Sequence, residues 1–111
     1  MSEPRDIQEL YRALSILRDR EEIRCFLIDL CTPAELDAMA DRWKTARLLE
    51  EGIPYREIYE KSGVSTATVT RVARCLNMGA GGYRLLLDRL QRIGKRRVRP
   101  LKTTTRVGLG K

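Results

Sequence analysis

The sequence predicts an all-α domain of about six helices. Apolar residues recur at spacings of three and four along most of the chain, helix start and stop residues fall between those stretches, and no segment alternates polar and apolar residues as a strand does. The 111 residues suit one domain. So short a chain buries only a modest core, and pairing with a second copy would bury more.

The first helical stretch has Ile7, Leu10, Leu14 and Leu17 on one face, with Tyr11 beside them. Asp19 is placed to cap a second helix, whose first turn holds Glu21 and Glu22, near the positive end of the helix dipole. Ile23, Phe26, Leu27 and Leu30 make that short helix densely apolar. These two helices pair either within one chain or across two. Thr32-Pro33-Ala34-Glu35 starts a third helix: threonine caps, proline takes the first helical position, and Glu35 completes a capping box. Leu36, Met39, Ala40, Trp43, Ala46 and Leu49 are expected to face the core, and Gly52 followed by Pro54 ends the helix. Trp43 fits that stripe better as core than as the wall of a ligand site.

Two shorter helices, Tyr55–Lys61 and Thr66–Cys75, flank Ser62-Gly63-Val64-Ser65. Asn77–Gly82 is expected to be a loop, and Tyr83, Leu86, Leu87, Leu90 and Ile93 belong to a last helix. The domain therefore covers residues 1–93, and the basic residues 94–111, with Pro100 and no apolar periodicity, are expected to be disordered.

Charge is unevenly distributed. Residues 92–111 carry Arg92, Lys95, Arg96, Arg97, Arg99, Lys102, Arg106 and Lys111 and no acid. Residues 1–91 hold the other 14 positive side chains and all 15 acids, a net charge of −1. The overall +7 is thus a property of the tail, and the folded part must reveal its partner by a motif. The tail itself suits phosphate binding without sequence preference, with affinity that falls as salt rises.

An enzyme is not expected. The chain has no histidine, the commonest general base, and its carboxylates lie mainly on polar helix faces. The three cysteines, Cys25, Cys31 and Cys75, lack paired spacing, so no metal site is expected, and buried free thiols in a reducing cytoplasm are the simpler reading. Residues 1–6 do not resemble a signal peptide, and no apolar run reaches membrane-spanning length. A cytoplasmic protein without membrane contact follows.

Residues 55–74 have the layout of a helix-turn-helix. Ile58 anchors the first helix, Gly63 supplies a left-handed turn, Val64 plugs the corner and Ser65 caps the second helix. Val69, Val72 and Leu76 form the inward stripe. The front of the second helix presents Ser65, Thr66, Ala67, Thr70, Arg71 and Arg74; Thr68 in the same run and Arg56 on the first helix are further DNA-contact candidates. Small side chains admit a helix to the major groove, and hydroxyls and guanidinium groups reach phosphates and base edges there. A hairpin built only for stability would favour Ala, Leu, Glu and Lys over this β-branched, hydroxyl-rich start. Tyr59 stands where a small residue usually lets the two helices cross; a wider crossing or an outward ring would accommodate it.

Leu30-Cys31-Thr32-Pro33-Ala34-Glu35-Leu36, Leu48-Leu49-Glu50-Glu51-Gly52 and Ser65-Thr66-Ala67-Thr68-Val69-Thr70-Arg71 together resemble the Trp repressor superfamily, and within it the YerC/YecD group. The likeness runs from Tyr11 to Leu90. It implies an intertwined homodimer whose helix-turn-helix units enter successive major grooves of double-stranded DNA. It also implies equivalents of an effector pocket at Thr32, Arg42, Arg71 and Cys75. Two departures point away from tryptophan as corepressor: Cys75 is a weak acceptor where the family has serine, and Val72 replaces a glycine that leaves space for the indole. No cofactor is expected; Arg42 then forms an ion pair on its helix, and Arg71 is free to contact DNA.

The function expected is that of a sequence-specific DNA-binding transcription regulator, a repressor, reading the major groove. The alternative is a helical protein-interaction module whose basic tail binds nucleic acid without specificity; an RNA-binding role stands third.

Overall fold

The computed structural model describes residues 3–98, with side chains through Gly94. Among them are six helices and no strand: α1 (Arg5–Ser15), α2 (Arg20–Leu30), α3 (Pro33–Glu50), α4 (Tyr55–Ser62), α5 (Thr66–Met78) and α6 (Gly82–Val98). The chain divides into two compact units, Met1–Ala40 and Asp41–Lys111, with the boundary inside α3.

The expected caps form. The Asp19 carboxylate accepts the Glu22 amide at 2.9 Å, and Glu22 accepts the Arg18 amide at 2.8 Å, so the start of α2 is closed from both sides. At α3 the Thr32 hydroxyl accepts the Glu35 amide at 3.1 Å, and the Glu35 carboxylate accepts the Thr32 amide at 2.8 Å. The far end of α3 closes with a left-handed Gly52 at φ 85°: its amide donates to Leu49 carbonyl at 3.0 Å and the Ile53 amide to Leu48 carbonyl at 3.1 Å. That pair of reversed bonds satisfies carbonyls the helix leaves open.

The first unit has an unusual surface. Neither α1 nor α2 contains a buried residue, and Ile7, Leu10, Tyr11, Leu14, Ile16, Ile23, Ile28 and Leu30 are all exposed. Helices of 11 residues are marginal on their own, so these two need an apolar face to rest on.

The second unit has a core. Ile58, Val64 and Val69 form a buried cluster, with Leu48, Leu49, Ile53 and Tyr59 packed against it. The stripe expected on α3 is only partly observed. Ala46 is fully buried and Leu36, Trp43 and Leu49 are half-buried, whereas Met39 and Ala40 are exposed. Instead Thr45 is fully buried, its hydroxyl donating to Asp41 carbonyl at 2.7 Å. That bond removes the cost of burying a hydroxyl, which is why a polar residue sits beside Ala46.

Three further expectations are corrected. α5 runs through Asn77 and Met78, so the loop is shorter than expected. It stops at Gly79, whose amide donates to Cys75 carbonyl at 2.9 Å and where a Cβ would run into that same carbonyl oxygen. α6 continues past Ile93 to Val98, and residues 99–111 lie outside the described residues. No cysteine is fully buried: Cys25 is exposed and Cys31 and Cys75 are half-buried. The Cys25 thiol donates to the Glu21 carboxylate at 3.5 Å, which raises its pKa.

A contact without local sequence signal ties α3 to α6. The Arg84 guanidinium grips the Glu50 carboxylate with two bonds of 2.8 and 3.0 Å and reaches Asp88 at 3.4 Å. Bonding to Arg84 holds the Glu50 pKa below its ordinary value of 4.5. A depressed acid stabilises the fold above its unfolded pKa, and that contribution disappears as pH falls through the folded value. Glu50→Gln is therefore expected to lower the melting temperature by about 2–4 °C at pH 7, a modest effect because the pair is partly solvated. Thermal scans across pH should show the two proteins converging as Glu50 protonates.

Candidate nucleic-acid interface

The helix-turn-helix is built by local hydrogen bonds. Gly63 adopts φ 78°, and its amide donates to Tyr59 carbonyl at 3.1 Å, closing α4. A side chain there would meet no atom within 4 Å, so the requirement for glycine lies in the backbone angle alone. The Ser62 hydroxyl donates to Ile58 carbonyl at 2.5 Å and accepts the Val64 amide at 3.2 Å, which pins the corner. Ile58, Val64, Val69 and Val72 are buried, as the motif requires. Tyr59 is half-buried against their cluster, so its ring is taken into the packing instead of turning outward.

Ser65 caps α5 by accepting the Thr68 amide at 3.2 Å, and its hydroxyl donates to the Thr68 hydroxyl at 3.0 Å. The amides of a helix's first turn have no partner within the helix, so this start presents N–H groups and a positive dipole to an anion. Thr66, Ala67, Thr70, Arg71 and Arg74 are exposed and line one open hollow of about 350 Å³. Arg56 is exposed on α4. Thr68 is placed differently from its neighbours, half-buried and engaged with the Ser65 cap.

The charges on this face are available. Lys61 of α4 pairs with Glu57 at 2.8 Å, which raises its pKa. Among the described residues no carboxylate pairs with Arg56, Arg71 or Arg74. An unpaired guanidinium keeps its planar fork free for phosphate or a base edge.

Two of the effector-pocket equivalents, Arg71 and Cys75, open onto different hollows. Arg71 lines the α5 hollow, but Cys75 opens onto another of about 410 Å³, walled by Trp43, Tyr83, Leu86 and the Gly79–Gly82 run. There Trp43 and Tyr83 stack with ring centroids 6.4 Å apart and planes 8° from parallel. Trp43 is thus half-buried at a cavity wall, not enclosed in the core. Arg42 is exposed, and the ion pair expected of it is not found among the described residues. Thr32 serves as the cap of α3. Val72 is 1% exposed, its isopropyl group filled into the inward side of α5. The Trp43–Tyr83 stack and the cavity beside it were not foreseeable, because the two rings lie 40 positions apart in sequence.

Comparison with known proteins gives concordant matches. The family model for Trp repressor protein matches residues 5–91. The YerC protein of Bacillus subtilis is 41% identical over 87 residues, covering 78% of this chain and 84% of its own length. A Trp operon repressor homolog of Actinobacillus succinogenes is 43% identical over 54 residues, 48% of this chain and 54% of that protein. Among solved structures, a TrpR-like protein from Eubacterium eligens superposes with a TM-score of 0.74 at 38% identity, covering 79% of this chain and 91% of the other. A Trp-repressor candidate from Staphylococcus aureus gives 0.75 at 37% identity, with 80% and 89% covered.

Proposed function

Because the chain belongs to the Trp repressor family, we propose that it is a homodimeric, sequence-specific DNA-binding transcription regulator that reads the major groove with the front of α5. The observation that carries this reading is the exposed face formed by Thr66, Ala67, Thr70, Arg71 and Arg74, with its arginines unpaired, at the open end of a capped helix. Small residues at Thr66 and Ala67 let the helix seat deeply, Thr70 and Arg71 reach base edges, and Arg56 and Arg74 hold phosphate. Bound over a promoter, such a dimer excludes competing proteins, so repression is the regulatory sign we assign.

Dimerisation has its own physical support. The uncovered apolar side chains of α1 and α2 are a continuous requirement for a partner, and a second copy supplies an equally apolar one. Two recognition helices would then address half-sites about one helical turn apart.

Tryptophan has no part in this mechanism. Supporting this reading are a valine buried in the inward packing of α5 and an Arg71 and Cys75 that open onto different hollows. Isothermal titration is expected to show no micromolar tryptophan binding, and the affinity for DNA should not change when tryptophan is added.

The proposal is tested by selecting DNA fragments from a random pool with the intact chain at physiological salt. A recovered motif with two-fold symmetry is the expected result. A pool that remains random, from a chain that nevertheless binds a helical protein partner, would sink the reading and favour the interaction-module alternative.

A further inference from the structure

We propose that a hollow between α3 and α4 binds a small aliphatic monocarboxylate, and that its occupancy tightens DNA binding by bracing the helix-turn-helix. The effector role rests on the DNA-binding reading above; the binding of the carboxylate does not.

The hollow measures about 210 Å³. Lys44 and Leu48, one turn apart on α3, line it together with Glu57, Ile58 and Lys61 of α4 and with Ile53 from the connection between the helices. Its apolar part is wholly aliphatic: Leu48 and Ile53 are half-buried and Ile58 is fully buried. An apolar cavity of about 150 Å³ holds the six carbons of benzene, so the volume here suits a chain of about six to eight carbons. No aromatic ring lines the hollow, which favours a flexible chain over a flat ring.

The charged groups set the other end of the ligand. Lys61 pairs with Glu57 at 2.8 Å, which neutralises the one carboxylate in the lining. Lys44 is exposed and has no carboxylate partner among the described residues. The Ser62 hydroxyl beside them is already engaged with Ile58 carbonyl and the Val64 amide. Two ammonium groups against one carboxylate leave a single net positive charge, the complement of one ligand carboxylate. A binding site joins an apolar wall to a few placed polar groups. The hollow beside Trp43 has no charged side chain in its lining, and the α5 hollow has arginines but no large aliphatic residue.

The position of the hollow gives its occupant leverage. Ile58 belongs to the buried cluster with Val64 and Val69, and Leu48 and Ile53 pack against that cluster. A chain lying on these three residues adds apolar contact to α4 from the α3 side. It thereby stiffens the support from which α5 is aimed.

The test is titration calorimetry of the full chain with octanoate. One site per chain is expected, with a Kd of about 1 mM or tighter. Octylammonium, of equal length and opposite charge, should bind about tenfold more weakly or worse. Lys44→Gln should also weaken octanoate about tenfold, with helicity unchanged because the side chain is exposed. Ile53→Trp, which fills the hollow, should remove binding. At about ten times its Kd, octanoate should raise the melting temperature by about 5 °C or more. It should tighten binding to a selected duplex by about fivefold or more. Absence of saturable binding, or equal affinity for octylammonium, would overturn the site. Trp43 is the only tryptophan of the chain, so its fluorescence reports on the neighbouring hollow. A fluorescence change with affinity unaltered by Lys44→Gln would place the ligand there and overturn the assignment. Bound octanoate that left DNA affinity unchanged would overturn the effector role. A chain that takes octanoate at Lys44 but selects no DNA motif keeps the site and loses the DNA-binding reading.

Discussion

Replacing Arg71 with alanine is expected to relax sequence preference at one position of each half-site while leaving the fold intact. Arg71 is exposed on α5, without a carboxylate partner among the described residues, and its side chain shares a hollow with Thr70 and Arg74. A guanidinium that bonds a base edge through two of its nitrogens discriminates against the wrong base by about 1–3 kcal/mol, or roughly 5- to 150-fold. A symmetric dimer makes the contact twice, so the loss on a full site is compounded. Arg56→Ala supplies the contrast. A residue touching only phosphate should weaken binding on all sequences alike and lower the salt slope by about one. Repeating the fragment selection with both variants separates the two roles. Recovery of the unaltered motif with Arg71→Ala would show that this side chain does not read bases.

The other large effect is expected in the core beneath that face. Ile58 is fully buried and joins α4 to Val64 in the turn and Val69 in α5. Ile58→Ala removes apolar contact and leaves a cavity that the short α4 cannot easily collapse, at a cost of about 2–5 kcal/mol. In a domain of this size each kcal/mol moves the melting temperature by about 4–8 °C, so a fall of roughly 10 °C or more is expected. Thermal circular dichroism at one fixed protein concentration measures it, since assembly makes the midpoint depend on concentration. Ile58→Val should cost only about 0.5–1.5 kcal/mol. A variant with alanine that melted like the parent would show that the three-residue cluster does not hold the two helices together. DNA binding should fall with stability in this series although no outward residue changes, because the face of α5 is aimed from below.

The helix starts were legible because capping is local. Asp19, Thr32 with Glu35, and Ser65 all act on amides within three residues, so their chemistry is written in adjacent letters. The turn between α4 and α5 was legible for the same reason: Gly63 answers a backbone angle, and Val64 follows it into the corner. The outward face of α5 followed from helical periodicity once that turn was placed. Thr68, a DNA-contact candidate in the sequence, is instead half-buried and bonded to the Ser65 cap.

From sequence alone came the helical class, the order of the elements, the helix-turn-helix and the separation of the basic end from an acidic body, since each depends on neighbours along the chain. Only the tertiary structure decided which apolar residues are covered, because periodicity names a face without naming what lies against it. It exposed Met39 and Ala40, buried Thr45 by satisfying its hydroxyl, and left α1 and α2 without a buried residue. It joined Glu50 to Arg84 across 34 positions and stacked Trp43 on Tyr83, contacts for which no local pattern exists. It also turned Arg71 and Cys75, four residues apart on one helix, toward different hollows. Those outcomes are set by the meeting of distant segments, and the free energy of such meetings resides in packing that no single stretch of sequence contains.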